Sequence, residues 1–167
     1  GGIDRTGGTL KVVESLQHWN ANVDVDVVIG SDFEHAVALR SLLQKRQGPT
    51  FRIHKNLATL ADLLSSCDLA FLSGGNSTYE AMCVGTPTIV LYEDSHEQKT
   101  GMEFQKYGAA LCPGSSSDIS VPDILSSLDE LADEQRRHSM SQAARLIVDG
   151  RGVHRILDIL MEFSYHD

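Results

Sequence analysis

Short apolar runs separated by longer stretches of helical period set the pattern of this chain. Val23-Asp24-Val25-Asp26-Val27-Val28-Ile29-Gly30 alternates at first and then turns continuously apolar, which predicts a strand that is buried more deeply toward its end. Phe51-Arg52-Ile53-His54, Asp68-Leu69-Ala70-Phe71-Leu72, Thr86-Pro87-Thr88-Ile89-Val90-Leu91-Tyr92 and residues 109–112 read as further short strands, the last stopped by a Pro113-Gly114-Ser115-Ser116-Ser117 turn. Between them lie helical patterns at 9–19, at 31–45 with Ala36, Leu39, Leu42 and Leu43 on one face, and at 57–66 with Leu57, Leu60, Ala61 and Leu64. Two more run from 78 to 84, ending at Gly85, and from 96 to 107, ending at Gly108. Helices at 121–131, about 132–148 and 153–163 fill the tail. Alternating helices and short β-branched strands predict the α/β class: one Rossmann-like, doubly wound parallel sheet with helices on both faces.

Composition narrows the partners. With 167 residues the chain has the size of one domain, and 41% hydrophobic with 22% charged residues is ordinary for a packed core. A net charge of −9 and a pI near 5.1 argue against a nucleic-acid or anionic-membrane binder. They leave nucleotides open, because a phosphate site can be built from backbone amides. Cys67, Cys83 and Cys112 are widely spaced and odd in number, which predicts free thiols in a reducing, cytoplasmic setting. No apolar stretch reaches about 18 residues, so no membrane span is expected. No cofactor is implied. Asp4, Asp32 and Asp94 are far apart, and Asp24 and Asp26 fall early in their strand, so no metal site is expected either.

Chemistry concentrates in Ser73-Gly74-Gly75-Asn76-Ser77-Thr78-Tyr79-Glu80. A strand, a glycine turn and a helix start present unpaired N–H groups and the positive end of a helix dipole, a natural phosphate seat. Glu80, a turn further on, suits a ribose or sugar diol, or alternatively completes a capping box with Ser77; Asn76 or Ser77 is the expected N-cap. Three other loops also fall at strand ends where a parallel sheet binds its ligands. One is Gly1-Gly2-Ile3-Asp4-Arg5-Thr6-Gly7-Gly8, either a frayed terminus or half of a split phosphate loop. Another, Gly30-Ser31-Asp32, reads as a turn and helix cap. The third carries His96, Glu97 and Gln98, either binding groups or a solvated helix start. His18, His35, His54, His138 and His166 have no evident partners. A glycine loop that opens a helix normally follows a strand, and none is present before Gly1, so the expectation is that the preceding strand lies on a longer chain. Neither a GxSxG elbow nor a GxxxxGK[ST] loop occurs. The absence of Lys and Arg from the Ser73–Glu80 motif suits a diphosphate that is held rather than a phosphoryl group that is transferred.

Taken with Gly85-Thr86-Pro87, Gln98 and Gly108, this motif resembles the C-terminal domain of GT-B type UDP-sugar enzymes. In particular it is similar to the UDP-2,4-diacetamido-2,4,6-trideoxy-beta-L-altropyranose hydrolase of pseudaminic acid biosynthesis and to the spore coat polysaccharide biosynthesis proteins. Gly1-Gly2-Ile3-Asp4 looks like the family's GG-x-D loop, and Asp149-Gly150-Arg151-Gly152-Val153-His154-Arg155-Ile156 like its DGKGAxRI tail. The resemblance implies a UDP or UDP-sugar partner with Gly1, Gly2, Ser73, Gly74, Gly75, Asn76, Ser77 and Thr78 around the diphosphate. Glu80 would hold the ribose, and His96, Glu97 and Gln98 would lie near the sugar. It also implies an N-terminal domain carrying the catalytic histidine, with Glu97 the only catalytic candidate on this chain. One departure stands out: the hydrolases have Glu-Asn-Gln where this chain has His96-Glu97-Gln98. The implied activity is UDP-sugar hydrolysis, with glycosyl transfer or non-catalytic nucleotide-sugar binding as alternatives.

Overall fold

The structure, a computed structural model, describes residues 4–44 and 48–164. In chain order the elements are α1 (Gly8–His18), β1 (Asp24–Ile29), α2 (Ala36–Leu43), β2 (Thr50–Lys55), α3 (Ala61–Ser66) and β3 (Ala70–Leu72). They continue as α4 (Asn76–Val84), β4 (Thr88–Tyr92), α5 (Ser95–Lys106), β5 (Leu111–Ser115), α6 (Val121–Glu130), α7 (Glu134–Ile147) and α8 (Gly152–Ser164). Every strand pairing is parallel, as the apolar runs require.

Among the described residues the strands form two sheets rather than the single continuous one expected. β1 pairs with β2, and β3-β4-β5 stand together. β4 organises the second sheet, because its residues are buried on both sides. Ile89 and Leu91 face a cluster with Leu16 of α1 and Ile124 and Leu128 of α6. Val90 faces the opposite cluster, with Met82 of α4, Phe104 of α5 and Ala144 of α7. This period of two places one helix layer on each face. A third cluster, Val13, Val27, Ile29, Phe33 and Leu39, locks α1 and α2 onto β1.

Several boundaries differ from the sequence pattern, each for a local reason. The helix expected over 31–45 is regular only at Ala36–Leu43, since Phe33 is drawn into the β1 core and holds residues 31–35 in turns. The helix expected over 57–66 starts at Ala61, where Thr59 Oγ1 accepts the Ala61 N–H, and Leu57 stays exposed. Pro113 lies inside β5 instead of ending it. β5 is an edge strand with a register shift against β4, so the missing N–H costs no ladder bond. Thr86, buried between α4 and β4, donates to the Leu64 carbonyl at 2.7 Å and ties this turn to α3. At the other end of the chain, Asp149 accepts from the Arg151 N–H and from Arg155 and so fastens the start of α8. Val153, Ile156, Leu157 and Leu160 of α8 are exposed.

Candidate functional site

At the carboxyl ends of the strands, helix termini compete for any incoming anion; those of α1 and α5 have already been closed by acidic side chains, whereas α2, like α4, carries no side-chain cap. Asp4, held at φ 50°, accepts the Gly8 N–H at 2.8 Å and the Thr9 N–H at 2.9 Å, which caps α1. Asp94 does the same for α5, taking the His96 and Glu97 N–H groups at 2.8 and 2.9 Å. Those bonds, the Glu97 one foremost, hold the Asp94 carboxyl below the usual carboxylate range. α4 is different. Its N-cap is Gly75, not Asn76 or Ser77, and no side chain caps it. Helix geometry then leaves the Asn76 and Ser77 N–H groups pointing outward at the positive end of the dipole. Thr78 lies fully buried one residue further on, and its Oγ1 has no hydrogen-bond partner among the described residues. Native structures rarely leave a buried hydroxyl so.

The glycine turn ahead of α4 is shaped by α5. Gly74 sits at φ +101°, and a Cβ there would stand 2.9 Å from the Glu97 carbonyl oxygen and 3.0 Å from Glu97 Cβ. Only glycine lets the two segments touch. Glu97 is half-buried at this contact. One of its carboxylate oxygens accepts the Glu93 N–H at 2.8 Å, and the other lies 3.7 Å from where a Gly75 Cβ would be. Of the three residues read together at the start of α5, only Glu97 meets the glycine turn. His96 is exposed, and Gln98, also exposed, donates to the Tyr92 hydroxyl at 3.2 Å. Glu80 is exposed on α4; the capping box with Ser77 does not form, because Ser77 is already inside the helix. Gly1 and Gly2 lie outside the described residues. The remainder of their loop cannot seat a phosphate on Gly8 and Thr9, whose amides Asp4 occupies.

A polar link that the sequence did not announce closes the floor of this region. Thr6 Oγ1 lies 3.3 Å from Glu93 Oε1 and 2.7 Å from Ser116 Oγ, which itself donates to the Tyr92 carbonyl at 3.1 Å. Lys11 anchors the same corner through the Ser116 and Ser117 carbonyls, at 2.8 and 2.6 Å. The signal was present: Ser115 to Ser117 follows a strand just as the other polar loops do, although it reads as a plain connection. Two histidines also acquire surroundings. His54 bonds Asp26 at 2.7 Å, a partner the sequence did not show. His35 directs a buried Nε2, without a partner among the described residues, at Gly7, 3.8 Å from where a Cβ there would stand. No group of three His, Cys, Asp or Glu that could hold a metal occurs among the described residues. None of the described helices is long and apolar enough to cross a membrane. A hollow of about 430 Å³ lined by residues 17–22 and Gly48 lies at the carboxyl end of α1, the opposite end of the strands, and takes no part in this arrangement.

No family model matches the chain. Over 136 residues it is 30% identical to the spore coat polysaccharide biosynthesis protein SpsG of Bacillus subtilis (strain 168), covering 81% of this chain and 40% of SpsG. In fold it superimposes on MurG of Acinetobacter baumannii with a TM-score of 0.84 and 14% identity, over 97% of this chain and 48% of MurG. The fold is that of a GT-B half. Spinosyn rhamnosyltransferase SpnG, in complex with thymidine diphosphate, gives a TM-score of 0.69 at 18% identity, over 87% of the GT-B-type domain and 36% of SpnG. The GT-B-type domain thus spans less than half the length of each of these proteins.

Proposed function

We propose that this GT-B-type domain is the nucleotide-binding half of a UDP-sugar hydrolase acting in nonulosonic acid or surface polysaccharide biosynthesis. The observation that carries the nucleotide site is the uncapped start of α4 with the buried, unpartnered Thr78 hydroxyl beside it. Neighbouring termini are closed by Asp4 and Asp94, so α4 offers the diphosphate its N–H groups, aided by Ser73, Asn76 and Ser77. Exposed Glu80 reaches the ribose hydroxyls. Glu97, already bonded through one oxygen, turns the other toward the sugar rather than the phosphates, since a carboxylate next to a diphosphate is repelled. His96 and Gln98 border the sugar side. A dipole and amides aimed at the departing UDP stabilise the charge that develops there. The attacking group belongs to an N-terminal domain that closes over this one. Sequence similarity to SpsG supports the polysaccharide setting, and the thymidine diphosphate bound by SpnG supports a nucleoside diphosphate ligand. Three cysteines without disulfides fit a cytoplasmic location.

A glycosyltransferase is the second reading, favoured by the fold shared with a rhamnosyltransferase. Product analysis separates the two. The full-length protein given a UDP-sugar alone releases UDP and free sugar if it is a hydrolase, whereas release that requires an added acceptor identifies a transferase. A non-catalytic nucleotide-sugar-binding module would do neither. For the site itself, calorimetry is expected to show weak UDP binding by this domain, weakened further in Glu80→Ala. Absence of binding heat in both proteins overturns the assignment.

A further inference from the structure

Immediately ahead of α4 the glycine turn leaves an opening. Apart from its own chain neighbours, a Cβ at Gly75 would meet nothing nearer than Glu97 Oε1 at 3.7 Å and Ser73 Oγ at 4.0 Å. A carboxylate oxygen and a hydroxyl thus edge the same small space. Glu97 Oε2 is engaged by the Glu93 N–H, whereas Oε1 has no hydrogen-bond partner among the described residues. The Glu93 carboxylate, just beyond β4, receives the Thr6 hydroxyl.

Among the described residues neither carboxylate forms an ion pair. The cationic side chains of these loops bear on another group: Asp94, held down first by the Glu97 amide, also feels the charge of His96 and Arg5. Two half-buried carboxylates, joined through one amide, therefore stand without a counter-charge on a chain of net charge −9. Charges withdrawn from water are normally paired. A second, independent observation marks the same turn as a place that receives a ligand. Thr78, fully buried in the first turn of α4, keeps an orphaned Oγ1.

A diphosphate seated on the α4 amides adds further negative charge beside Glu97. The sugar it carries enters the opening at Gly75, and the substituent nearest the phosphate is the one next to the anomeric carbon. A hydroxyl there offers Glu97 a neutral donor and leaves the repulsion in place. An acylated amine offers one neutral N–H and brings a carbonyl acceptor with it. A free, protonated amine supplies three donors and a positive charge.

We propose that Glu97 selects a nucleotide-linked amino sugar whose amine, on the carbon next to the anomeric one, is free and protonated. The inference rests on the diphosphate seat proposed above and names the sugar class for that site. Glu97 Oε1 accepts one ammonium N–H while Oε2 stays with the Glu93 amide. Ser73 Oγ, free to donate to a phosphate, accepts a second.

The test is calorimetric titration of the full-length protein with UDP, UDP-glucose, UDP-glucosamine and UDP-N-acetylglucosamine, at a pH where the amine is protonated. The three sugars differ only at the carbon in question, and where one is turned over, kcat/KM replaces affinity. The wild-type protein is expected to favour UDP-glucosamine by about 10-fold over the other two sugars, the gain of a charge-assisted over a neutral hydrogen bond. In Glu97→Gln that advantage disappears. UDP-glucosamine that binds no better than UDP-glucose overturns the proposal and leaves the diphosphate seat standing, whereas UDP that fails to bind removes both. A preference retained in Glu97→Gln refutes the role of this carboxylate. So does magnesium that tightens UDP binding to the wild type and not to the variant, because Glu97 would then serve a metal ion. If the variant fails to fold, the carboxyl carbon resonance of Glu97 in the wild-type protein decides. A shift on adding UDP-glucosamine and not UDP-glucose supports the proposal, and equal shifts refute it.

Discussion

Replacing Thr78 with Val is the sharpest probe of the α4 site. The two side chains have the same shape and similar stiffness in a helix, so the change removes a hydroxyl and little else. That hydroxyl is fully buried without a partner among the described residues. Such burial costs roughly 1–3 kcal/mol. Thr78→Val is therefore expected to stabilise the ligand-free domain, raising its melting temperature by ~2–4 °C per kcal/mol recovered at this chain length. Nucleotide binding should move the other way. A hydrogen bond from the hydroxyl to a phosphate oxygen is charge-assisted and worth about 1.5–3 kcal/mol, or ~10- to 150-fold in the UDP dissociation constant. Thr78→Ser serves as the control. It keeps the hydroxyl and the affinity, but loses about 1 kcal/mol to the missing methyl group. Scanning calorimetry with and without UDP reads both effects. A lower melting temperature for Thr78→Val would refute the orphaned hydroxyl, and a raised one with unchanged UDP affinity would remove Thr78 from the binding site.

Glu97→Gln keeps an acceptor for the Glu93 N–H while removing the charge beside the glycine turn; because the proposed site turns the free oxygen toward the sugar, UDP affinity is expected to change less than about 2-fold at low salt. Tightening of ~5-fold that fades with added salt, the size of a repulsion of about 1 kcal/mol at ~4 Å in water, would place the carboxylate against the phosphates instead. Gly101→Ala is expected to destabilise by about 1–3 kcal/mol through overpacking, as its Cβ would come within 2.7 Å of Cys112 Sγ and 2.8 Å of Val90 Cγ1. A urea midpoint that stays put would mean that α5 shifts freely. Asp26 is held below the ordinary carboxylate range by its bonds to Arg52 first and then His54. A depressed carboxylate contributes stability that is present above the unfolded value of about 3.9 and is lost as pH falls through the folded value. Asp26→Asn should flatten the acid limb of stability below pH ~4, and identical limbs for both proteins would contradict the linkage.

The sequence was most informative where one residue's periodicity answers to a single neighbour. β4 is legible because its apolar run is covered on both faces, and the glycine turn is legible because strand, glycines and helix follow one another directly. What was hidden depends on contacts between distant segments. Gly75 rather than Asn76 caps α4, because Glu97 presses on the turn from α5. His54 finds Asp26 only once the parallel register of β1 and β2 is set. The division into two sheets was invisible for a similar reason: a sequence names strands but not their neighbours. Asp94 could have been read as an N-cap from its place just before a helical run, and Asp4 could not, because its left-handed backbone is what brings the carboxylate back to Gly8 and Thr9.

The self-closed termini of α1 and α5 also set how an anion arrives. With a net charge of −9 this chain repels a nucleotide at long range, and in the proposed site attraction would begin only within reach of the α4 amides. Affinity and approach then respond to ionic strength in opposite senses. Screening beyond a Debye length of about 8 Å lifts the repulsive approach barrier, while the contact itself, made by dipoles rather than by Lys or Arg, loses little. Capture should quicken as salt is added, the reverse of the behaviour of a basic phosphate site. If α4 is the nucleotide seat proposed above, an acidic surface with an open amide cradle would act as a filter, turning away anions in general and retaining those that fit the cradle.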